Sequence, residues 1–295
     1  MKALITGASG LLGSHLLGAL PPEISCGLGS YYQNKDEDNA LHHLDICDRD
    51  NVRALMKDFR PDILIHCAGE SRVDFVEQNP ENGRAQNILG TENMAWDSAF
   101  LGTHFVFISS NAVYDGGEAP YRESSVQAPV NEYGWTKSAA EKVVTRYPGK
   151  STIIRPIMLY GWPLTSRRNY LVTRILHALK LGQKYQAADD IYSQPTYAVD
   201  CAAAIWKLIL SQQTSRASYN VAGEGRQTLY EFALDVATAF GLDKNLITPV
   251  KAASFKGLAP RPVDTTYDLK TIHSIGIKLP GAKDGLLRMR AEQEK

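Results

Sequence analysis

The sequence is short of cysteine, of long apolar runs and of net charge, and each shortage excludes a class of protein. Its four cysteines, Cys26, Cys47, Cys67 and Cys201, form no CxxC pair and show no metal-ligand spacing with histidine, so we expect buried thiols and no metal site. No apolar run approaches the about 18–20 residues of a membrane span. Basic and acidic residues are equal at 32 each, which leaves no basic surface for nucleic acid or an anionic membrane.

Length and the first residues bound the size and the compartment that we expect. At 295 residues the chain has room for one large α/β domain with an appended lobe, or for two domains. It opens with MKALITG, which reads as a strand at once and leaves no room for a signal or transit peptide. We therefore expect a cytoplasmic protein.

A glycine-rich turn follows the first predicted strand. Ala3 to Thr6 is a short apolar run, and it leads into Gly7-Ala-Ser-Gly10-Leu-Leu-Gly13 and then a helical pattern. This G-x-x-G-x-x-G is a variant of the dinucleotide fingerprint: Gly7 permits the tight turn, Gly10 lets backbone approach a pyrophosphate, and Gly13 lets the helix pack close to the strand. The N–H groups at the helix start would face the phosphates.

The next two strands bear on the identity of the dinucleotide. The second strand, Ile24 to Ser30, ends without the acidic residue that an NAD-preferring enzyme places on the ribose 2′-OH. Lys35 lies just beyond and either meets a 2′-phosphate or is a solvated loop lysine. This favours NADP(H), with NAD(H) still possible. Asp45, in the strand end predicted at Leu44 to Ile46, either bonds an adenine amine or serves the loop before the following helix.

A fully apolar strand is predicted from Ile63 to Gly69, and its small final residues would let a cofactor lie across it. We interpret His66, inside this run, as a core histidine. The long helix predicted from Pro80 to Phe100 contains Asn87, which is unfavourable in a helix interior. Asn87 either has a functional role or bonds a neighbouring backbone carbonyl.

A catalytic pattern occupies the stretch from Phe105 to Lys137. An apolar strand delivers Ser109 and Ser110 to its carboxyl end, and a Gly/Pro-rich loop then leads to Tyr133 and Lys137. The i, i+4 spacing puts phenol and ammonium on one helix face, and a nearby ammonium makes a phenol a stronger acid. With Ser110 bonding the same substrate oxygen, the trio suits reduction of a carbonyl by hydride. YxxxK also occurs by chance, so the assignment depends on the glycine turn.

The order of predicted elements indicates an α/β fold. Strands alternate with helices to about Gly161, which predicts a Rossmann-like doubly wound parallel sheet whose ligands lie at the carboxyl ends of the strands. We expect residues 1–161, joined by part of 190–212, to form the dinucleotide-binding domain. Residues 162–295, with helices at Asn169 to Leu181 and Leu229 to Phe240, would mainly form a smaller substrate-binding lobe.

Taken together, these motifs resemble those of the extended short-chain dehydrogenase/reductase superfamily. The likeness is closest to the dTDP-4-dehydrorhamnose reductase group and to the related regulatory β-subunit of methionine adenosyltransferase. It rests on TGASGLLG, LDICD, HCAGESRVDFVEQNPE, SSNAVYDGGEAPYRE, PVNEYGWTK, RPIMLYG, DDIYSQPTYAVD and RPVD, and it covers essentially the whole chain.

The resemblance implies a set of site residues. The implied catalytic residues are Ser110, Tyr133 and Lys137, with Lys137 also holding the nicotinamide ribose. The implied cofactor-binding residues are Gly7, Ser9, Gly10, Leu11, Leu12, Gly13, Lys35, Asp45, Ile46, Cys67, Ala68, Gly69, Asn87 and Pro156, together with Tyr133 and Lys137. The implied substrate-binding residues are Ser71, Ser110, Met158, Asn169 and Arg261. Arginines 155, 167, 168 and 261 are candidates for a substrate diphosphate.

Two departures from the family pattern bear on the reaction. Met158 stands where many rhamnose-pathway reductases have an aromatic that packs on the sugar. Related dehydratases follow the hydroxyl residue with an Asp-Glu pair, whereas Asn111 and Ala112 follow Ser110 here, so dehydration is disfavoured.

We therefore predict NAD(P)H-dependent reduction of a keto group, foremost the 4-keto group of a nucleotide-linked deoxysugar. A cofactor-binding regulatory subunit and a nucleotide-sugar epimerase are the alternatives. A homodimer through helices 80–100 and 133–147 is expected by analogy.

Overall fold

The protein is built around one parallel sheet. The structure is a computed structural model, and it describes residues 1–33, 41–164, 170–211 and 217–293. Seven strands form the sheet in the order β11-β6-β5-β4-β1-β2-β3, and every neighbouring pair is parallel. These strands are β1 (Lys2–Thr6), β2 (Cys26–Tyr31), β3 (His42–His43), β4 (Ile63–His66), β5 (His104–Ile108), β6 (Ser151–Pro156) and β11 (Ala217–Val221).

Eleven α-helices of the described chain surround this sheet and the smaller elements. They are α1 (Leu11–Gly18), α2 (Arg49–Phe59), α3 (Val73–Gln78), α4 (Pro80–Arg84), α5 (Gly90–Leu101), α6 (Glu132–Arg146), α7 (Leu171–Lys180), α8 (Ala198–Leu210), α9 (Leu229–Ala239), α10 (Lys270–Ser274) and α11 (Ala282–Gln293). A π-helical turn, Ala85–Leu89, joins α4 to α5, so the long helix predicted from Pro80 to Phe100 is continuous but widened in its middle.

The apolar runs form the centre of the sheet, as predicted. All residues of β4 and β5 are buried, because helices cover both faces of a doubly wound sheet. The strand order reverses between β1 and β4, which makes their carboxyl ends the topological switch point where such sheets bind ligands. The prediction of a doubly wound α/β fold is confirmed.

Four predicted boundaries are wrong by a few residues. The second strand begins at Cys26 instead of Ile24. The strand predicted at Leu44 to Ile46 lies earlier, at β3, because Asp45 is held in a turn: its N–H donates to Asn51 and its carboxylate accepts the N–H of Cys47. β4 ends at His66 instead of Gly69, and α7 begins at Leu171.

The second half of the chain adds short strands and a separate apolar cluster. The short strands are β7 (Leu159–Tyr160), β8 (Tyr185–Ala188), β9 (Tyr192–Ser193), β10 (Thr196–Tyr197), β12 (Gln227–Thr228) and β13 (Ile247–Val250). They pair as β10-β7, β12-β9 and β13-β8. Side chains such as Val172, Phe232 and Leu286 pack together beside them. α8 returns to the main sheet, where the indole N–H of Trp206 donates to the Leu16 carbonyl on α1 at 3.0 Å.

Across the described ranges, no helix has both the length and the apolar character needed to cross a membrane.

Candidate active site

The glycine turn after β1 requires glycine because other backbone lies against it. Gly7 has φ +66°, and a Cβ there would lie 2.8 Å from the Ala68 nitrogen after β4. A Cβ on Gly13 would overlap the Gly7 carbonyl oxygen, so α1 can start this close to the turn only without a side chain at that position. Ser9, Leu11 and Leu12 complete the turn and are buried. This helix start, where close backbone excludes a side chain at positions 7 and 13, suits a dinucleotide phosphate.

A tyrosine lies over the start of α1, which the sequence did not indicate. The N–H of Leu11 donates to the Tyr170 hydroxyl at 3.1 Å. One turn later, the His15 ring Nε2 lies 3.1 Å from the Trp162 carbonyl oxygen. The chain around β7 and α7 therefore closes onto the helix start where the pyrophosphate is predicted.

Asn87 links the end of β4 to α6. Its Oδ1 accepts the N–H of Glu70 at 2.8 Å, and its Nδ2 donates to the Glu70 carbonyl and to the Thr136 hydroxyl, both at 3.0 Å. A Cβ on Gly69, which has φ +136°, would lie 2.6 Å from the Asn87 Oδ1. The amide is placed by the π-helical turn Ala85–Leu89, a feature frequent at functional sites. The backbone that this amide binds is therefore that of Glu70, 17 residues away, and not a neighbouring carbonyl of its own helix.

His66 lies in the core beside the cofactor-binding candidates Cys67 and Ala68. Its ring nitrogens lie 2.7 Å from the Thr6 hydroxyl and 3.3 Å from the Thr91 hydroxyl. Burial lowers the pKa of His66, which is fully buried, to about 3. It also raises the pKa of the Cys67 thiol, which is partly exposed, to about 12. Both groups are neutral at physiological pH, in agreement with the interpretation of His66 as a core histidine.

One close backbone contact brings the start of α6, which carries Tyr133, to the chain just after Ser110. Ser110 follows β5 and caps a short 3-10 helix, Asn111–Val113, by accepting the N–H of Ala112 at 3.1 Å. Tyr133 is the second residue of α6 and is partly exposed. A Cβ on the next residue, Gly134, would overlap the Ala112 carbonyl oxygen. Glycine at 134 therefore lets the start of α6 meet the chain just after Ser110.

Lys137 lies one turn after Tyr133 on α6 and is bound to the end of β5. Its Nζ donates to the Ile108 carbonyl at 2.6 Å and lies 4.3 Å from the centre of the Phe107 ring. Burial lowers the pKa of Lys137 to about 8, and the nearby Glu141 carboxylate opposes part of this effect. The Lys137 side chain is thus mostly an ammonium at neutral pH, and its pKa lies close to neutrality.

A buried ion pair joins Arg155 of β6 to Glu141 of α6. Arg155 donates to both carboxylate oxygens of Glu141, at 2.8 and 2.6 Å, and each side chain is only 5% exposed. The Ser109 hydroxyl and the Gln127 amide donate to the same carboxylate. Arg155 also donates to the Tyr114 hydroxyl. The suggestion that Arg155 holds a substrate diphosphate is therefore wrong, because its guanidinium is committed to this network.

The segment Ala259–Tyr267, which we call the strap, crosses the chain beside Ser110 and Tyr133. Arg261 donates to Asp74 at the start of α3, at 2.7 Å, and the side chain is about one-third exposed. Asp264 accepts from Arg226, whose guanidinium lies 3.4 Å from the centre of the Tyr192 ring. The strap contains the RPVD motif and places the predicted substrate residue Arg261 near the catalytic candidates.

Met158, Pro156 and Ser71 lie at other points of the same edge. Pro156 ends β6 and is buried, and Ser71 is exposed shortly after β4. Met158 has φ +40°, an uncommon conformation for a residue with a side chain, and its carbonyl accepts the N–H of Thr196 at 3.1 Å. Backbone strain of this kind clusters at functional sites.

Two predicted cofactor-binding residues contact other protein groups, and further predicted site residues lie outside the described residues. Asp45 uses a carboxylate oxygen on the N–H of Cys47, which fits the loop role, and Ile46 is buried against Gly90. Lys35, Asn169, and arginines 167 and 168 lie outside the described residues.

Sequence reasoning missed the residues that hold the strap and the start of α1. Tyr170 and Asp74 contact the predicted site residues Leu11 and Arg261. Asn131 binds Pro260, the residue next to Arg261. Only Asn131 carried a local signal, because an asparagine two residues before Tyr133 fits a helix N-cap. The partners of the other two are more than 150 residues away, and no local pattern reports such contacts.

Comparison with known proteins finds relatives that match over nearly the whole chain. The family model described as the RmlD substrate binding domain matches residues 1–294. The chain is 32% identical over 280 residues to the methionine adenosyltransferase 2 subunit beta of Xenopus tropicalis, covering 94% of this chain and 83% of the relative. It is 29% identical over 265 residues to a dTDP-4-keto-6-deoxy-D-glucose reductase of Streptomyces niveus, covering 88% of this chain and 85% of the relative.

Among solved structures, the dTDP-4-dehydrorhamnose reductase of Bacillus anthracis in complex with NADP is similar, with a TM-score of 0.88 and 29% identity. The match covers 99% of this chain and all of that one. The resemblance indicated by the sequence motifs is confirmed.

Proposed function

The chain belongs to the RmlD substrate binding domain family, and we propose that it is a nicotinamide-dependent reductase that converts a keto group of a nucleotide-linked sugar into an alcohol. The observation that carries this proposal is that the elements bearing three candidate side chains meet at the end of β5. Ser110 follows that strand, Lys137 is bonded to the Ile108 carbonyl, and Gly134 seats Tyr133 against the chain after Ser110.

The residues present fit a dinucleotide. The turn from Gly7 to Gly13 is a cradle that a Cβ at Gly7 or Gly13 would fill, and Ala68 and Gly69 adjoin it. We assign the pyrophosphate to this turn and the nicotinamide ribose to Lys137. The reduced cofactor supplies the hydride when bound. The cofactor is NADP(H) in this proposal, supported by the Bacillus anthracis relative in complex with NADP. NAD(H) is the alternative. A measured preference for NADP(H) over NAD(H) would support the predicted contact of Lys35 with the 2′-phosphate.

The chain's own groups handle the proton. In the proposed reaction Tyr133 donates its phenolic proton to the substrate oxygen as negative charge develops there, and the Ser110 hydroxyl hydrogen-bonds the same oxygen. The Lys137 ammonium stabilises the phenolate that remains. Asn87 acts indirectly, because it holds the backbone after β4 and bonds Thr136, one residue before Lys137.

The proposed substrate is a nucleotide-linked deoxysugar with a keto group at C4. Two relatives support this choice, the reductases of Streptomyces niveus and Bacillus anthracis. We assign the sugar to the edge formed by Ser71, Ser110 and Met158, and the diphosphate to Arg261 of the strap. Residues 162–295 would then mainly select the substrate, as the sequence predicts.

A direct assay tests the reaction. Purified protein mixed with NADPH and a dTDP-4-keto-6-deoxysugar should lose nicotinamide absorbance in step with formation of the 4-hydroxy sugar. An epimerase would interconvert sugars without net consumption of cofactor. Tight NADPH binding with no turnover of any nucleotide-linked keto sugar would contradict the reductase proposal.

The second candidate function is that of a cofactor-binding subunit of a larger enzyme. It is favoured by the 32% identity to a methionine adenosyltransferase 2 subunit beta. Tyr133→Phe separates the two functions, because it would abolish reduction but leave the activity of a partner enzyme unchanged. Stable co-purification with a methionine adenosyltransferase catalytic subunit, insensitive to Tyr133→Phe, would support the subunit.

We also propose a homodimer through α5 and α6. Leu89, Trp96, Phe100 and Trp135 are exposed on the helices predicted to pair, and Phe100 is 77% exposed. Burying this surface in a second copy would remove apolar area from water. Sedimentation should give twice the mass of one chain for the wild type and a single-chain mass for Phe100→Glu.

A further inference from the structure

Two asparagines adjacent to the catalytic candidates hold the strap. Asn111 directly follows Ser110, and its Nδ2 donates to the Thr265 hydroxyl at 2.6 Å. Asn131 lies two residues before Tyr133, and its Nδ2 donates to the Pro260 carbonyl at 2.8 Å. Thus an amide beside each proton-handling group binds a different end of the strap.

The other end of each amide faces the catalytic element itself. Asn131 is the N-cap of α6, where its Oδ1 accepts the N–H of Gly134 at 2.8 Å. The Oδ1 of Asn111 accepts the Ser110 hydroxyl at 3.3 Å. Each asparagine therefore uses its acceptor toward the catalytic chain and its donor toward the strap, an arrangement that an ionised aspartate, which has no donor, cannot reproduce.

The strap also carries the residue assigned to the substrate. Arg261 adjoins Pro260, and both its guanidinium and the N–H of Ala259 bind Asp74, at 2.7 and 3.0 Å. Asn131 is only 7% exposed, although the Pro260 residue that it binds is exposed. A displacement of Arg261 would consequently be transmitted through one residue to the first turn of α6.

We propose that Asn111 and Asn131 are positioning residues that couple the strap to Ser110 and Tyr133, so that substrate contact at Arg261 sets the geometry of proton transfer. The proposal rests on the proposed function for its catalytic consequence, but the coupling itself is a property of the fold. Positioning errors of about 1 Å can reduce turnover by about 100-fold, so modest shifts of the two groups would be visible in kcat.

Asn111→Asp and Asn131→Asp test the coupling. Each variant keeps the acceptor toward the catalytic chain and loses the donor toward the strap. We expect kcat to fall roughly tenfold in each variant, with the dissociation constant for NADPH unchanged. The double variant should lose less than the product of the two effects, because both bonds hold one strap. Asn82→Asp, the same charge change on the exposed side of α4, should leave kcat unchanged.

Hydrogen exchange gives a readout that does not need turnover. In Asn131→Asp, peptides covering residues 257–267 should exchange faster, while the Gly134 amide stays protected because aspartate also caps helices. Faster strap exchange in a protein that turns over no sugar would retain the coupling and reject the proposed function. Unchanged strap exchange, or a kcat equal to that of the wild type in a protein that does turn over substrate, would overturn the coupling.

Discussion

The part of the site built on the sheet and the part built on the strap are held in different ways. On the sheet, backbone approaches backbone at Gly7 and Gly134, and the charges of Glu141 and Arg155 are buried together. The strap is held mainly by hydrogen bonds. Asn111, Asn131 and Asp74 bind it through their side chains, and the N–H groups of Tyr192 and Tyr121 donate to its Val263 and Thr266 carbonyls. Close backbone contact leaves little freedom to move, whereas single polar bonds at a surface can break and re-form.

This difference predicts which substitutions should affect stability or cofactor binding and which should affect turnover. Substitutions on the sheet side should damage stability or cofactor binding, because buried charges and overlapping atoms have no nearby alternative. Substitutions on the strap should leave the fold intact and change turnover. Tyr133 belongs to both parts, since it lies on α6 between the sheet and the N-cap that holds the strap.

The largest expected effect is that of Tyr133→Phe. Loss of the proton donor should lower kcat by about 100- to 10,000-fold, the usual contribution of general acid catalysis. The dissociation constant for NADPH and the thermal midpoint should stay near those of the wild type. Tyr147→Phe, at the other end of α6, is the matched control. Retention of more than a tenth of the wild-type kcat would show that Tyr133 is not the acid.

Arg155→Met should be the most destabilising change on the sheet side. It leaves the Glu141 carboxylate buried without its partner, which costs about 3–5 kcal/mol in the free energy of unfolding. Urea denaturation measures this value. The double variant Arg155→Met with Glu141→Met should recover part of the loss, because no charge is then left buried. If Arg155→Met alone were as stable as the wild type, the Glu141 carboxylate would have to be in contact with water and not buried without a partner.

Gly7→Ala should destabilise the glycine turn and weaken cofactor binding. The left-handed backbone alone costs about 1–2 kcal/mol for alanine, and the new Cβ would also press on the Ala68 nitrogen. Gly276→Ala isolates the first effect: Gly276 has a similar φ of +74°, and no described atom lies within 4 Å of the added Cβ. NADPH titration should show weaker binding for Gly7→Ala only. Equal thermal midpoints and affinities in the two variants would exclude a role for the Ala68 contact.

Stability should fall with acidity because of His66. Its pKa is about 3 in the folded protein and 6.5 as the ordinary value, so between these limits the unfolded chain binds a proton that the folded chain does not. The free energy of unfolding should therefore decrease by about 1.4 kcal/mol per pH unit below pH ~6.5 from this group. His104, whose pKa is lowered to about 4 by burial, adds to the fall.

Urea denaturation between pH 7 and 4 measures this dependence. His66→Gln should show a shallower slope than the wild type, and His42→Gln, at an exposed site, should not. Identical slopes in the wild type and His66→Gln would mean that His66 takes up a proton while folded.

The smallest expected effect is on the strap. Arg226 pairs with Asp264 and lies over Tyr192, but its side chain is 49% exposed. Arg226→Met keeps the apolar contact with the ring and should change the free energy of unfolding by less than about 1 kcal/mol. A loss in the free energy of unfolding as large as that of Arg155→Met would show that the strap is held as firmly as the sheet side of the site.

The sheet side of the site was predictable because its signals are local. The glycines at 7, 10 and 13, the apolar runs of β4 and β5 and the Tyr133/Lys137 spacing each report on neighbouring residues in the chain. The Asn87 alternatives and the boundary at Leu44 to Ile46 needed the structure, because partners from Glu70, Thr136 and Asn51 decide them.

The sequence by itself determined the doubly wound sheet, the glycine cradle and the pairing of a tyrosine with a lysine on one helix face. Periodicity and short spacings specify these features without reference to the rest of the chain. Only the tertiary structure decided that Arg155 is buried with Glu141 and that Pro260 and Thr265 lie against Asn131 and Asn111. Those contacts join residues up to 154 positions apart, and folding alone brings such residues within hydrogen-bond distance.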